Sequence, residues 1–406
     1  MDYTKRRWRV LIASCIINLC IGSMYAWSVF AGPILEKFNA AGANLTSVSI
    51  VFTVANAVGP ITMISGGFLN QKLGPRKIIL IGGIMFGLGM ILSGFAPNLT
   101  TLIITYGLLA GLGIGMVYGA TVSTSVRFFP DKKGLVGGLT SASYGVSTVI
   151  ISPIAARMLQ RLGVQPSFLI LGGVMLALII GASCFVEACP DGFIPEGYVP
   201  KAGAAPVAES KDWKGMLATP VFYIMLLMIL CGAFSGLMVT SLASPISREM
   251  AKLSVETAAT VVSMVALFNT FGRIAAGTLS DKIGEINTLA ISFVLALIGQ
   301  VSVYLSNGSL VPYLIGLALI GFCFGSLMGV YPAFTVSQFG PKYNGTNYGI
   351  MFIGFAIAGY FGPTIMNSVH ASTGEYRSAF LIAAAMSVAG LCLNAVFRIM
   401  KKKKNS

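Results

Sequence analysis

Charge is what this chain has least of. Only 10% of its 406 residues are Asp, Glu, Lys or Arg, whereas soluble domains carry about a quarter. A water-soluble globular protein is therefore excluded. Acidic residues are the scarcer sign, 13 against 27 Lys plus Arg, and they fall between apolar runs or at their ends. There is a single histidine, His370, near a loop and without companion ligands. That leaves no nucleophile–base pair and no metal-ligand cluster, so no enzyme, metal or other cofactor is expected. The seven cysteines (Cys15, Cys20, Cys184, Cys189, Cys231, Cys323 and Cys392) lack metal-ligand spacing. They read as small hydrophobes and not as a disulfide framework. A cleavable leader is not expected either: the first apolar run is too long, no A-x-A site follows, and it reads as a retained helix.

What the sequence does have is apolar length. Hydrophobic residues make up 55% of it, with 48 Gly, and they gather in runs of roughly twenty or more, enough to cross a ~30 Å hydrocarbon core. Frequent Gly suits helices that approach closely in lipid. Helices are expected near 9–34, 45–70, 77–97, 99–126, 133–157 and 166–188, then near 220–244, 255–281, 286–306, 309–336, 343–367 and 376–400. The stretch 189–219, with Pro190, Pro195, Pro200 and Pro206, cannot build a core and reads as a linker. The expectation is an all-α membrane protein of twelve transmembrane helices in two pseudo-symmetric six-helix bundles. Residues 1–188 form the N-terminal bundle, 189–219 a cytoplasmic linker and 220–406 the C-terminal bundle.

The net charge of +14 could suggest nucleic acid, but its distribution argues against that partner. Basic residues sit in short inter-helix segments and at the ends, as in Lys5-Arg6-Arg7 and Lys401–Lys404. Assigning alternate loops to one side leaves the other with only Lys37, Arg157, Arg161, Arg248, Lys252 and Arg377. Positive loops stay inside. A monomer in the cell inner membrane is expected, embedded in the lipid bilayer with both termini cytoplasmic.

The two halves echo each other. Gly67-Phe-Leu-Asn-Gln-Lys-Leu-Gly74 follows the second helix and Gly277-Thr-Leu-Ser-Asp-Lys-Ile-Gly284 the eighth, with Gly, Leu, Lys and Gly at identical spacing. An internal repeat of six helices is the signature of a two-fold carrier with its site between the halves. Arg273 stands out in that frame. It lies eight residues before Asp281, about 12 Å along a helix from its polar end. A charge at that depth costs at least ~2.5–3.5 kcal/mol and must face a cavity or a partner. Its repeat counterpart is Met63, so scaffold symmetry does not require Arg. No acidic residue reaches the midplane, which leaves a substrate carboxylate as counter-ion to the planar guanidinium fork. Asn269 sits one turn earlier on the same face, placed either to meet substrate or to pack between helices.

The loop from Gly67 to Lys77 resembles the signature of the major facilitator superfamily, with Gln71 where that signature has Asp. The resemblance covers nearly the whole chain. Gly22-Ser-Met-Tyr25-Ala-Trp27-Ser, Tyr118-Gly, Arg127-Phe-Phe-Pro-Asp-Lys-Lys-Gly134, Ser143-Tyr144-Gly, Gly272-Arg273 and Asn347-Tyr348-Gly349 are similar to oxalate/formate antiporter-like and bacterial monocarboxylate transporters. That resemblance implies a small organic anion as substrate. It also implies that Tyr25, Tyr118 and Tyr144 line the cavity, with Tyr331 in the place in helix ten that Tyr118 has in helix four. Trp27, two residues after Tyr25, should point elsewhere. Oxalate-type members have a second cation in helix eleven; here that position is Phe355, with Phe352 nearby. One Arg beside aromatic surface suits a monocarboxylate such as L-lactate or pyruvate better than a dicarboxylate. The resemblance implies proton symport, although the proton-linked acid of related eukaryotic carriers is Asn269 here. The expected mechanism is alternating access, the halves rocking around Arg273. The rival readings are an oxalate/formate-type antiporter, in which exchange of monoanions needs no proton site, and an anion sensor that does not transport.

Overall fold

In hydrocarbon every backbone N–H and C=O must be satisfied within the chain, and isolated segments can do this only as helices. The computed structural model describes residues 3–45, 47–198 and 210–405, and twelve helices in it are long and apolar enough to cross a membrane. They are α1 (Tyr3–Ala40), α2 (Ile50–Leu73), α3 (Pro75–Gly94), α4 (Leu99–Phe128), α5 (Lys133–Leu162) and α6 (Val164–Ser183). After the connector come α7 (Pro220–Met250), α8 (Val255–Ile283), α9 (Glu285–Leu305), α10 (Leu310–Phe339), α11 (Asn344–Thr373) and α12 (Ala379–Asn405). Their outward surface is itself apolar, with Ile61, Phe271 and Val311 exposed by more than half, as lipid-facing positions require. Residues 199–209 of the expected linker lie outside the described residues.

Several helices outrun their apolar cores. The helix expected at 9–34 runs from Tyr3 to Ala40, and the one expected to end at 244 continues to Met250. Backbone hydrogen bonding does not stop where hydropathy does. In α7 the chain absorbs Pro245 through a kink, with Leu242 at φ −126°, ψ 15°. In α1 the Gly22–Ala26 stretch tightens to a 3₁₀ turn. Here Gly22 lies directly against the Tyr144 carbonyl, where a methyl group would overlap it.

Two compact units emerge from the packing. One comprises Met1–Asp131, Ser143–Ser210 and Phe339–Ile350; the other comprises Lys132–Ala142, Lys211–Gln338 and Met351–Ser406. Helices α5 and α11 therefore each give their opening residues to one unit and the remainder to the other. In the first unit Trp27, Tyr106, Phe30 and Phe168 form an aromatic core, with Trp27 and Phe30 each 4.7 Å from a neighbouring ring. The second unit is built on a buried cluster running from Phe234, Met238 and Ile246 through Leu317 and Phe324 to Phe380.

The repeated octapeptide now has a physical reason at both ends. Gly74 and Gly284 adopt φ 78° and 86°, conformations open to Gly at little cost, and each ends one helix just before the next begins. Gly67 and Gly277 instead meet another helix's backbone: Gly67 abuts Thr346 within the first unit, and Gly277 abuts Gly134 within the second. The acidic position differs between the copies. Both carboxylate oxygens of Asp281 accept backbone N–H bonds, from Gly134 and Leu135 at 2.8 Å each, so Asp281 caps the amino end of α5. Gln71, its counterpart, is exposed.

Candidate functional site

Helix α8 carries the polar centre of the second unit. Ser254 caps its start by accepting from the Thr257 amide, and Gly284 ends it. Between them Asn269 and Arg273 share a face. Both are buried, Arg273 to 3% relative exposure, deep in a helix otherwise rich in Ala, Val and Phe. The neighbouring helices reach this face through glycine. Gly325 and Gly329 of α10 press on the main-chain carbonyls of Asn269 and Arg273, and Gly138 of α5 presses on that of Arg273 as well. Small residues at these crossings let three backbones converge around one long side chain.

The guanidinium is fixed on two sides. Its Nε donates to Asn269 Oδ1 at 3.0 Å, and its Nη1 donates to the Ser141 carbonyl at 2.7 Å. A guanidinium has five N–H donors, so these two bonds leave Nη2 and the second Nη1 hydrogen unused. They form the end-on edge of the fork, which matches the two oxygens of a carboxylate. Because Asn269 turns its oxygen to Arg273, its Nδ2 is buried with no acceptor. Among the described residues no carboxylate of this unit pairs with Arg273. The centre therefore holds a net positive charge and an unsatisfied amide donor, and lacks an acceptor.

The remaining expected residues fall into separate groups. In the first unit Tyr25, Tyr118 and Tyr144 come together: Tyr144 stands edge-on to Tyr25 at 5.2 Å and to Tyr118 at 5.4 Å. Trp27 turns away from them to pack on Tyr106. In the second unit Phe352 and Phe355 stack at 4.5 Å, and Phe355 lies parallel to Phe324 at 6.0 Å. Tyr331 joins neither group. It is fully buried, and its hydroxyl donates to the Met225 carbonyl of α7 at 2.8 Å, which ties α10 to α7. Three contributors were not foreseen. The Ser141 carbonyl left no sequence signal, since any residue supplies one. Phe324 is one of many aromatics in an apolar helix. The Gly325–Gly329 spacing was visible but could not reveal what crosses there.

His370 and the cysteines lie outside these groups. His370 is in the last turn of α11, its Nε2 2.7 Å from Glu249 Oε2 and its ring stacked on Tyr376 at 4.1 Å; this joins the ends of α7 and α11. All seven cysteines are free thiols. Outside the spans, burial pushes the Cys189 thiol up to about 11, against a partial lowering by Arg127; it stays neutral at physiological pH.

Twelve spanning helices and a buried, unbalanced cation on one of them define a polytopic membrane transporter. The chain belongs to the Major Facilitator Superfamily, whose family profile matches residues 12–363. It is 30% identical over 397 residues to the oxalate:formate antiporter of Oxalobacter formigenes, covering 95% of this chain and 90% of that one. It is 29% identical over 363 residues to the uncharacterised transporter YhjX of Escherichia coli, covering 88% and 86%. Among solved structures, a tryptophan-substituted form of XylE superposes with a TM-score of 0.75 at 15% identity, covering 96% of this chain and 95% of that one; this likeness concerns the fold alone.

Proposed function

We propose that this transporter carries small monocarboxylates of the L-lactate and pyruvate type, and that Arg273 with Asn269 binds the carboxylate. One observation carries the reading: a buried guanidinium with no carboxylate partner among the described residues stands beside a buried amide donor, Asn269 Nδ2, that has no acceptor. Burying a charge and a donor unpaired is costly, and a monocarboxylate supplies both the missing charge and the missing lone pairs. Lactate and pyruvate add a short apolar tail and a second oxygen for Asn269 Nδ2. The tyrosines Tyr25, Tyr118 and Tyr144 form a hydroxyl-bearing aromatic surface of the first unit, suited to an organic anion. Tyr331, whose hydroxyl is already engaged, is left out of the binding set.

Coupling to a proton in symport is part of this proposal and rests on resemblance, as does placement in the inner membrane with both termini cytoplasmic. The test is uptake of labelled L-lactate into proteoliposomes with and without an inward proton gradient, with pyruvate, formate and oxalate as competitors. Gradient-stimulated lactate uptake that ignores oxalate supports the reading. A second reading is favoured by the 30% identity to the oxalate:formate antiporter. Oxalate or formate exchange in preloaded vesicles, with no lactate uptake, would establish it.

Charge count separates the two substrates. Helix α11 holds no Lys or Arg along Asn344–Thr373, and Phe355 is stacked between Phe352 and Phe324. A dicarboxylate facing one Arg keeps one charge uncompensated in a desolvated place. Phe355→Lys is accordingly expected to strengthen inhibition of uptake by oxalate by about tenfold or more, the scale of one charge-assisted hydrogen bond. Competition assays on wild type and variant read this directly, and an unchanged oxalate response would defeat the charge-count argument.

A further inference from the structure

A groove of about 420 Å³ lies far along α8 from Arg273. It is bounded by Ile283 and Gly284 where α8 ends, Glu285 to Asn287 where α9 begins, Gln338 near the end of α10, and Phe397, Arg398, Lys401 and Lys402 of α12. All belong to the second unit. At this level the helices pass from apolar spans to polar ends, which in a membrane protein is the depth of the lipid headgroups.

The groove combines two chemistries. Arg398, Lys401 and Lys402 are spaced i, i+3 and i+4, so one face of α12 presents three cations. Arg398 is held in place: its Nε donates to Asn394 Oδ1 at 3.0 Å, and Asn394 Nδ2 donates to the Ile286 carbonyl of α9 at 2.9 Å. Phe397 is buried, and Ile283 leaves 38% of its surface exposed. The acid at the rim, Glu285, accepts from the Ser337 hydroxyl through Oε1. Among the described residues none of the three cations has a carboxylate partner. Basic residues without an ion-pair partner over a partly apolar floor, at headgroup depth, match a phosphate head with an acyl chain attached. Loop cations that merely set orientation need neither the shared face nor the tether.

The geometry points to a binding site for an anionic phospholipid, phosphatidylglycerol-like in chemistry, between the ends of α8, α9 and α12. The phosphate sits against Arg398, Lys401 and Lys402, and an acyl chain runs over Ile283. Each cation near an anionic membrane surface contributes roughly a factor of five in binding. Arg398→Gln/Lys401→Gln/Lys402→Gln is then expected to weaken retention of one phosphatidylglycerol on the order of 100-fold, measured by native mass spectrometry of lipid-titrated protein. Arg76→Gln/Lys77→Gln, which removes two cations from the first unit, leaves retention near wild type. Equal loss in both variants, or no loss in the triple variant, overturns the site. The wild type alone gives a second reading, as thermal stabilisation in detergent by phosphatidylglycerol against phosphatidylcholine and inorganic phosphate. Stabilisation by phosphatidylglycerol alone upholds the lipid. Equal stabilisation by phosphatidylcholine, or by phosphate without lipid, rejects it.

Discussion

Arg273→Ala is expected to reduce substrate uptake by at least about 100-fold while leaving the protein folded. Two hydrogen bonds to a charged donor are worth roughly 1.5–3 kcal/mol each, and 1.4 kcal/mol is a factor of ten. Stability should move in the opposite sense. With no acid paired to it, the buried guanidinium strains the apo protein, so its removal should hold or raise the Tm in detergent. A structural Arg would behave otherwise, losing stability and activity together. Arg273→Lys completes the test. Lys keeps the charge but is shorter and lacks the fork, so it cannot donate to Asn269 Oδ1 and the Ser141 carbonyl while also presenting an edge to the ligand. Uptake by the Lys variant should stay within a few-fold of the Ala variant's. Full transport by the Lys variant would falsify the bidentate role.

The second large effect belongs to the packing that lets Arg273 sit where it does. At Gly325 a side chain would run into the Asn269 main-chain carbonyl, and no rotamer relieves a clash with backbone. Gly325→Val should therefore separate α10 from α8 at a cost of about 3 kcal/mol or more, the upper range for overpacked cores. A Tm lowered by several degrees in detergent, with reduced yield of monodisperse protein, is the expected readout. Gly359→Ala is the control: a methyl there meets only the Leu237 side chain, at 3.6 Å, and should be tolerated. Equal Tm values for Gly325→Val and wild type would mean that α8 and α10 do not close as tightly as described.

Much of this protein was legible in its sequence. The bilayer acts as a solvent with simple rules: apolar length gives spans, and scarcity of charge makes each exception informative. Those rules yielded the twelve helices, the repeated octapeptide and the singular position of Arg273. Tyr25, Tyr118 and Tyr144 were singled out by resemblance, and the structure adds that Tyr144 stands edge-on to each of the other two. Trp27 turns away from them, as two-residue spacing on a helix implies. The ends of α1, α5 and α7 were read too short because hydropathy marks where lipid stops, whereas backbone hydrogen bonding continues into polar residues. Other features depend on contacts between residues distant in the chain, which periodicity cannot encode. Tyr331 looked equivalent to Tyr118 by position, yet its hydroxyl is bonded to the Met225 carbonyl because α7 lies there. Gly138, Gly325 and Gly329 were ordinary membrane glycines until their packing against the α8 backbone assigned each a neighbour. The sequence by itself determined that a cation lies within the membrane. Only the tertiary structure decided which of its N–H groups are already bonded within the chain, because hydrogen bonds to a main-chain carbonyl depend on where backbones cross and not on which residues they carry.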